Sequence, residues 1–270
     1  MNNKASNIFL IFLLVSIAVN SSLKPAVNKT KGNDKEKITE VNTGYIRLQK
    51  KNKNDSLENK GKEIIADYIS AIGGKKRLSR IMDRTTYITG KVNNMNIHIV
   101  VYQKVPDMYL QKIELGAAEQ KIVFDGVRGV MITGDNIEEM KGPELNKLKY
   151  EATMQFLLYL NAYDVKAEFN GIEKANGVDA YKVMLIFPGD MKWTEYYDTT
   201  TYLKVKEIKP INSPDGKIIN QESYFSNYQE VNGIEYPFTI KQFLGPSKFE
   251  FHVDSIKVNN GLSNRNFEIE

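Results

Sequence analysis

Residues 94–135 read NMNIHIVVYQKVPDMYLQKIELGAAEQKIVFDGVRGVMITGD, and this stretch decides the fold. Apolar residues recur at every second position within its segments. Because successive side chains of a strand point to opposite faces, this period predicts strands that each have one apolar face. Short turns at Pro106-Asp107 and Asp125-Gly126 favour antiparallel neighbours. The alternating positions are Ile97, Ile99, Val101, Tyr109, Ile113, Leu115, Ile122, Phe124, Val130 and Ile132.

The alternation resumes after residue 164 and continues almost to the end of the chain. Asn176-Gly177 and Asn232-Gly233 are hairpin signals between the later segments. Together the segments predict about eleven strands joined by tight turns. We expect an α+β, mainly β, domain in which one large antiparallel sheet curls around helices, because open twisted sheets of about ten strands tend to curl.

Three helices are predicted around this sheet. The first begins near Glu58 to Lys62, and Gly73-Gly74 ends it. The second covers Lys75 to Met82. The third covers Glu144 to Tyr159 and interrupts the sheet. The apolar stripe of the first helix is formed by Ile64, Ile65, Tyr68, Ile69 and Ile72.

Residues 1–22 have the pattern of a secretory signal peptide. Lys4 precedes an apolar run from Ile8 to Val19, and Asn20-Ser21-Ser22 follows. The alternative is a membrane anchor, but this run of 12 residues is shorter than the roughly 20 residues that span a bilayer. The chain has no cysteine, which excludes a lipid-modified leader and a disulfide framework. We therefore expect an exported, periplasmic protein without a lipid anchor.

Residues 23–59 predict a polar, disordered tether, and residues 60–270 predict the folded domain. Lys4 and residues 24–60 contain 11 of the 37 Lys and Arg residues but only 5 of the 33 Asp and Glu residues. The remaining 26 bases and 28 acids give residues 61–270 a net charge of −2. This balance argues against nucleic-acid binding, which needs a basic face. The tether is interpreted as a solvated linker, with an attraction to anionic lipid head groups as the alternative.

Five segments, in their order and spacing, resemble the outer-membrane lipoprotein-sorting proteins, and more specifically the LolA/LolB-like exported proteins of Bacteroidetes-type bacteria. The resemblance covers residues 60–270. Those carriers have a basic residue in the strand after the Pro-containing turn, whereas Met108–Gln111 has none here. The segments are Tyr68–Leu78 (YISAIGGKKRL), Tyr102–Tyr109 (YQKVPDMY), Phe124–Gly126 (FDG), Glu195–Asp198 (EYYD) and Tyr228–Phe238 (YQEVNGIEYPF).

This resemblance implies an unclosed half-barrel with helices over its concave face, and a hydrophobic cavity that holds acyl chains of a lipid or lipoprotein. The third helix would be the lid, through Leu145, Leu148 and Phe156. The cavity would be lined by Ile99, Val101, Tyr109, Ile113, Phe124, Ile132, Val183, Leu185, Phe238, Ile240, Phe249 and Phe251.

A protein-interaction module is the first alternative to a lipid carrier. Alternation alone does not separate an open concave cavity from a filled core. With a filled core, the chain would be a non-catalytic interaction module of a cell-envelope complex, for example with an exported peptidase. With a cavity, transient membrane contact is also expected.

No residue pattern in the sequence points to catalysis. The chain has two histidines, His98 and His252, and both lie on the polar sides of predicted strands. Asp125, Asp198 and Asp215 occupy turn positions, where aspartate bonds to the nearby backbone. We therefore expect no catalytic residues, no metal and no cofactor, and an enzyme on this barrel is the least favoured alternative.

Overall fold

The computed structural model describes residues 41–92, 95–212 and 217–269, with the side chains of the first helix from Asp55 onward. The predicted signal peptide and the first part of the predicted tether lie outside these ranges. The helices are α1 (Val41–Ala71), α2 (Lys75–Leu78) and α3 (Gly142–Ala152). The strands are β1 (Asp83–Val92), β2 (Met95–Lys104), β3 (Met108–Leu115), β4 (Ala118–Phe124), β5 (Gly129–Thr133), β6 (Asn136–Glu139), β7 (Lys166–Ala175), β8 (Val178–Ile186), β9 (Lys192–Asp198), β10 (Lys204–Asn212), β11 (Ile218–Val231), β12 (Ile234–Leu244) and β13 (Ser247–Val258).

All thirteen strands form one antiparallel sheet, in the order β6-β5-β4-β3-β2-β1-β13-β12-β11-β10-β9-β8-β7. The sheet is not closed, since β6 and β7 are its two edges within the described residues. Pairing of β1 with β13 joins the two ends of the domain. The predicted mainly β, unclosed architecture is confirmed, with thirteen strands instead of about eleven. Strand β6 (NIEE) was not predicted, since its sequence shows no apolar alternation and all four of its residues are exposed.

The main hydrophobic core lies between the concave face of the sheet and the helices. It contains apolar residues of β1 to β5, β7 to β9 and β11 to β13, together with α1, α2, α3 and the residues after α3. A second, smaller core lies on the convex face of β3 to β5. There Phe267 and Leu262 of the C-terminal segment cover Leu110, Val123 and Val130. The curled sheet is therefore covered on its concave side by helices and locally on its convex side by the chain end.

Helix α1 crosses the concave side and packs closely on β7. Its predicted stripe is buried at Ile64, Ile65, Tyr68 and Ile72. A Cβ atom at Gly61 would lie 2.3 Å from the carbonyl oxygen of Ala167. The helix needs glycine there because a larger residue would push it away from the sheet.

The structure changes the bounds of all three predicted helices. Helix α1 begins at Val41, ahead of the predicted start near Glu58, so the second half of the predicted tether is helical. Residues 41–57 contain no proline, the residue that disfavours a helix interior most strongly. Helix α2 ends at Leu78 and does not continue to Met82.

Helix α3 ends at Ala152, before the predicted end at Tyr159. Thr153 is extended, and its hydroxyl donates to the carbonyl of Lys149 at 2.8 Å. Gln155 is left-handed with a φ of 56°, and two short 3-10 turns follow, Phe156–Leu158 and Leu160–Tyr163. The apolar residues that suggested a longer helix are therefore buried in the core, although the backbone that carries them is not α-helical.

Replacement of Gly61 by alanine tests the close packing of α1 on β7. Alanine favours an isolated helix, but here its Cβ clashes with backbone, so we expect a loss of about 1–3 kcal/mol in the free energy of unfolding. Urea denaturation measures the loss. The matched control is Asn59→Ala, an exposed position on the same helix, where we expect a change within about 0.5 kcal/mol. Equal stability of the two variants would contradict this packing.

Candidate functional site

The concave face brings together nearly all of the residues predicted to line a cavity. Nine of them are buried in the main core, and Phe238 and Phe249 are partly buried and pack against it. The predicted lid residues Leu148 and Phe156 also lie in this core, with Leu145 packed on its edge. The nine are Ile99, Val101, Tyr109, Ile113, Phe124, Val183, Leu185, Ile240 and Phe251.

Ile132 is the exception, and its predicted place in the cavity is wrong. It packs against the smaller core on the convex face. In the pairing of β4 with β5, Met131 lies opposite Ile122 and Ile132 lies opposite Lys121. Opposite residues share a face, so Met131 faces the concave side and Ile132 the convex side. The two strands are apolar on both faces here, and alternation could not indicate which set faces the helices.

The concave side chains are covered by the protein's own helices. Val183, Leu185 and Phe251 are 0% exposed and Ile240 is 2% exposed. A side chain buried this deeply has no water-sized space against it, so the region around these four residues is filled by protein atoms. Any guest hydrocarbon at these positions would have to displace protein atoms of the main core.

Aromatic rings pack together where α3 and the residues after it meet the end of β8 and the start of β9. Tyr150 and Phe156 lie against Phe187, with ring centroids 4.6 Å and 5.6 Å away, and Phe187 lies 4.4 Å from Trp193. Tyr163 closes the group at 5.6 Å from Phe156. Such tilted and stacked pairs add to the burial of apolar area, so this cluster holds α3 in place.

A second group at the same junction is charged and buried. We call it the buried ion chain, because six alternating side chains connect α3 to β9 and β10. Lys204 is 3.3 Å from Glu195 and 3.0 Å from Glu207. Lys209 is 3.3 Å from Glu207. Glu151 of α3 completes the chain, with Lys209 and Lys147 each 3.7 Å from it.

A bulge in the pairing of β9 with β10 makes this chain possible. Lys204 lies opposite Tyr197, and Glu207 lies opposite Glu195, with a register shift between Lys204 and Lys206. Residues three apart on a regular strand point to opposite faces, but the extra residue brings Lys204 and Glu207 to the same, concave face. The chain contains three lysines and three glutamates, so it is neutral as a whole.

The pKa values of these groups follow from burial and from their partners. Burial by itself would raise the pKa of Glu207, but Lys204 and Lys209 outweigh it and lower that pKa. Burial opposes the charge of Lys204, yet Glu195 and Glu207 raise its pKa. The pKa of Lys147 is lowered by burial, against the opposing effect of Glu151. Burial, followed by the charge of Glu195, raises the pKa of Tyr197 well above its ordinary value.

The sequence analysis did not identify the buried ion chain. Lysine and glutamate at 204, 207 and 209 are usual on a solvent-facing strand, and only the bulge turns them inward. One signal was available, namely that Lys204 to Ile208 has no alternation of apolar residues. This pattern is also typical of an exposed edge strand, so the sequence alone does not separate the two cases.

A groove of about 850 Å³ opens beside α3. It runs from the start of α3, past the turn after β8, to the adjoining parts of β8 to β11, and this volume falls in the range of small-molecule sites. Basic and acidic side chains lie among its apolar lining, including Lys147 of the buried ion chain. The apolar lining consists of Met140, Pro143, Leu148, Tyr150, Met184, Pro188, Met191, Ile208, Pro210, Ile211 and Ile218.

The residues considered for catalysis lie apart from this groove. His98 and His252 are exposed on β2 and β13. Asp125 and Asp198 accept backbone N–H groups within their own turns, as expected for turn aspartates, and Asp215 lies outside the described residues. No group of three His, Asp or Glu that could hold a metal occurs in the described ranges. Among these residues, no helix has the length and apolar character needed to cross a bilayer.

Removal of one charge tests whether the buried ion chain stabilises the fold as a unit. In Lys204→Met, Glu195 and Glu207 keep their burial and lose a cation, so we expect a loss of about 3–5 kcal/mol in the free energy of unfolding. The control is Lys241→Met, because Lys241 is half exposed and lies 3.8 Å from Glu250, an arrangement worth at most about 1 kcal/mol. A loss no larger than that of the control would contradict the prediction.

The lowered pKa of Glu207 predicts a dependence of stability on pH. A carboxyl group whose pKa is lower in the folded state stabilises the fold above its unfolded pKa, near 4.5, and this contribution disappears as the pH falls through the lower folded value. We therefore expect Glu207→Gln to be less stable than the unchanged protein at neutral pH. Below about pH 4.5 its stability should fall less steeply. Denaturation series at several pH values measure both slopes, and parallel slopes would count against the assignment.

The comparisons with known proteins concern the fold. No family model matches the sequence, and no curated protein is similar to it in sequence. A DUF1329 family protein from Desulfovibrio piger superposes with a TM-score of 0.53 at 9% identity, covering 78% of this chain and 97% of that chain. An outer membrane lipoprotein-sorting protein domain from Vibrio parahaemolyticus gives 0.51 at 13% identity, covering 78% and 97%.

A third solved structure is the LolA superfamily protein NE2245 from Nitrosomonas europaea. It superposes with a TM-score of 0.51 at 13% identity, covering 76% of this chain and 96% of that chain. Each of the three structures is matched over nearly its whole length. At sequence identities this low, the similarity shows a shared fold and nothing about function. This chain therefore has the LolA/LolB-like fold, an unclosed antiparallel half-barrel with helices on its concave face.

Proposed function

We propose that this protein is a non-enzymatic carrier that binds the acyl chains of a lipid or lipoprotein, in the exported, periplasmic setting that residues 1–22 predict. The observation that carries the proposal is an apolar concave face, in a LolA/LolB-like fold, with a groove beside the helix that covers it. The lipoprotein-sorting domain from Vibrio parahaemolyticus supports this choice among the functions of the fold. The proposal involves no chemical step.

The groove beside α3 is the entrance in this proposal. An alkyl chain would first lie along Met140, Tyr150 and Met191, which line the groove and pack on the main core, and would then reach the concave face as α3 moves aside. Leu145 and Leu148 hold α3 on β5, where a Cβ at Gly129 would lie 2.8 Å from a methyl carbon of Leu148. Those contacts are lost when the helix moves.

The free energy gained by burying an acyl chain is similar in size to the free energy lost by uncovering the apolar residues at α3. A sixteen-carbon chain gains about 12 kcal/mol when buried, at about 0.8 kcal/mol per methylene. Uncovering the buried parts of Leu145, Leu148, Tyr150 and Phe156 costs about 6–12 kcal/mol at roughly 1.5–3 kcal/mol each. The buried ion pair between Glu151 of α3 and Lys209 adds to the cost of moving the helix, which favours release of the cargo.

A second candidate function is favoured by the filled interior. The side chains around Phe251 leave no water-sized space, and the buried ion chain lies across the same face. Both features suit a protein whose concave face is a permanent core and whose outer surface binds a protein of the cell envelope. The two candidates differ in whether lipid is bound.

Native mass spectrometry of protein prepared from a bacterial periplasm tests the carrier proposal. We expect adducts with masses of lipids, identified after extraction, because the groove and the face beneath α3 bury hydrocarbon. A mass equal to the polypeptide alone under gentle ionisation, together with recovery of a protein partner, would favour the second candidate.

Matched variants locate the bound chain. We expect Met184→Glu and Met191→Glu to lower the bound lipid by about tenfold or more, because each places a charge in the groove. Each position is half-buried, so that circular dichroism is expected to show an intact fold. Ile172→Glu is the control, since Ile172 is 56% exposed on β7 and does not line the groove. Equal lipid content in all three variants would rule out the groove as the entrance.

A further inference from the structure

One end of the sheet gathers exposed basic and apolar side chains that the carrier function does not use. We call this surface the basic rim. Three pieces of chain meet there: α2 with the residues that follow it, the turn between β2 and β3, and the turn between β4 and β5. The exposed residues of the basic rim are Lys75, Lys76, Arg77, Arg80, Met82 and Val127.

Direct contacts make these pieces one continuous surface. The backbone N–H of Val105 donates to the carbonyl of Met82 at 3.0 Å, which joins the residues after α2 to the β2–β3 turn. A Cβ atom at Gly126 would lie 3.3 Å from a carboxylate oxygen of Asp107, which places the β4–β5 turn against the β2–β3 turn. Met82 and Val127 are therefore at neighbouring tips of the same rim.

The positive charge of the basic rim is available for a partner. Lys75, Lys76, Arg77 and Arg80 are all exposed, and no salt bridge among the described residues joins any of them to a carboxylate. The charges therefore add to a local positive field, although residues 61–270 are slightly acidic as a whole.

Two of the three aspartates at this rim are engaged with the backbone, and the third, Asp107 of the β2–β3 turn, is half-buried. Asp83 is buried and accepts the N–H groups of Asn260, Gly261 and Leu262. Asp125 accepts those of Val127 and Arg128. These carboxylates hold the turns in shape. Glu230 and Glu235 flank the β11–β12 turn against which Arg77 lies, and no salt bridge among the described residues joins either glutamate to α2.

The two apolar tips are held out into solvent by their own hydrogen bonds. Met82 is 54% exposed and Val127 is 79% exposed. The N–H of Met82 donates to the side-chain oxygen of Asn259 at 2.6 Å, and the N–H of Val127 donates to Asp125 at 2.8 Å. The backbone at both tips is therefore fixed, and the apolar side chains have no protein surface to cover them.

We propose that the basic rim docks on the surface of a bilayer that contains anionic phospholipid. The lysines and arginines of α2 would bind lipid phosphates, and Met82 and Val127 would enter the boundary between head groups and acyl chains. A nucleic acid would also attract the charges, but the described rim presents no exposed aromatic ring for stacking, and its apolar tips suit a lipid surface better. The rim acts on the membrane whether or not the concave face binds a cargo.

Vesicle binding by residues 23–270, the chain without the predicted signal peptide, tests this surface. The probes are vesicles of phosphatidylcholine and vesicles with about one third phosphatidylglycerol. We expect binding to the anionic vesicles only, weakened by salt, and a partition coefficient about tenfold or more lower in Lys75→Gln/Lys76→Gln. We expect Met82→Ser/Val127→Ser to lose most of the binding that remains at high salt.

The matched control is Lys91→Gln/Lys248→Gln, which removes the same charge from exposed lysines at the opposite end of β1 and β13. We expect this variant to bind like the unchanged protein. Because all variants keep residues 23–59, vesicle binding by the basic tether alone would leave the rim variants unaffected and would overturn the proposal. A rim variant that weakens binding of a single-stranded oligonucleotide but not of vesicles would also overturn it.

Discussion

The apolar concave face of the thirteen-stranded sheet is the constraint on which the rest of the structure depends. A sheet of this size curls and leaves one apolar side that must be removed from water. Helix α1 covers one part and is brought within backbone distance of β7 by Gly61. Helix α3 covers another part, over Gly129. At Gly61 the helix lies closer to the strand backbone than a Cβ would allow, whereas at Gly129 the side-chain ends of Leu148 and Leu145 occupy the place of a Cβ.

The helix that closes the mouth is bound by two different kinds of contact. The aromatic cluster around Phe187 and Trp193 resembles an ordinary core. The buried ion chain does not, because charges removed from water stabilise a fold only when each has a well-placed partner. Such a chain specifies where α3 lies more strictly than apolar contact does. In the proposed function a guest enters the filled interior only when α3 moves, and both kinds of contact oppose that movement.

Much of the fold was predictable from the sequence, and the missed features have identifiable causes. Alternation at Ile97, Ile99 and Val101, and at Val183, Leu185 and Phe187, indicated the strands and the side chains that face the helices. The alternation at Val130 and Ile132 was read on the wrong face because β4 and β5 bury both sides, one under α3 and the other under Phe267. Lysine and glutamate at 204 and 207 looked like solvent-facing residues because a bulge leaves no mark in residue types.

The sequence by itself determined the strand pattern, the apolar stripe of α1 and the mainly β class, because these depend on the local period of side chains along the backbone. The tertiary structure alone decided where α3 ends, which charges are buried, how the groove is formed and that α2 and two turns make one basic rim. Those features depend on contacts between residues far apart in the chain. Register shifts and close backbone approaches set such contacts, and no local period records them.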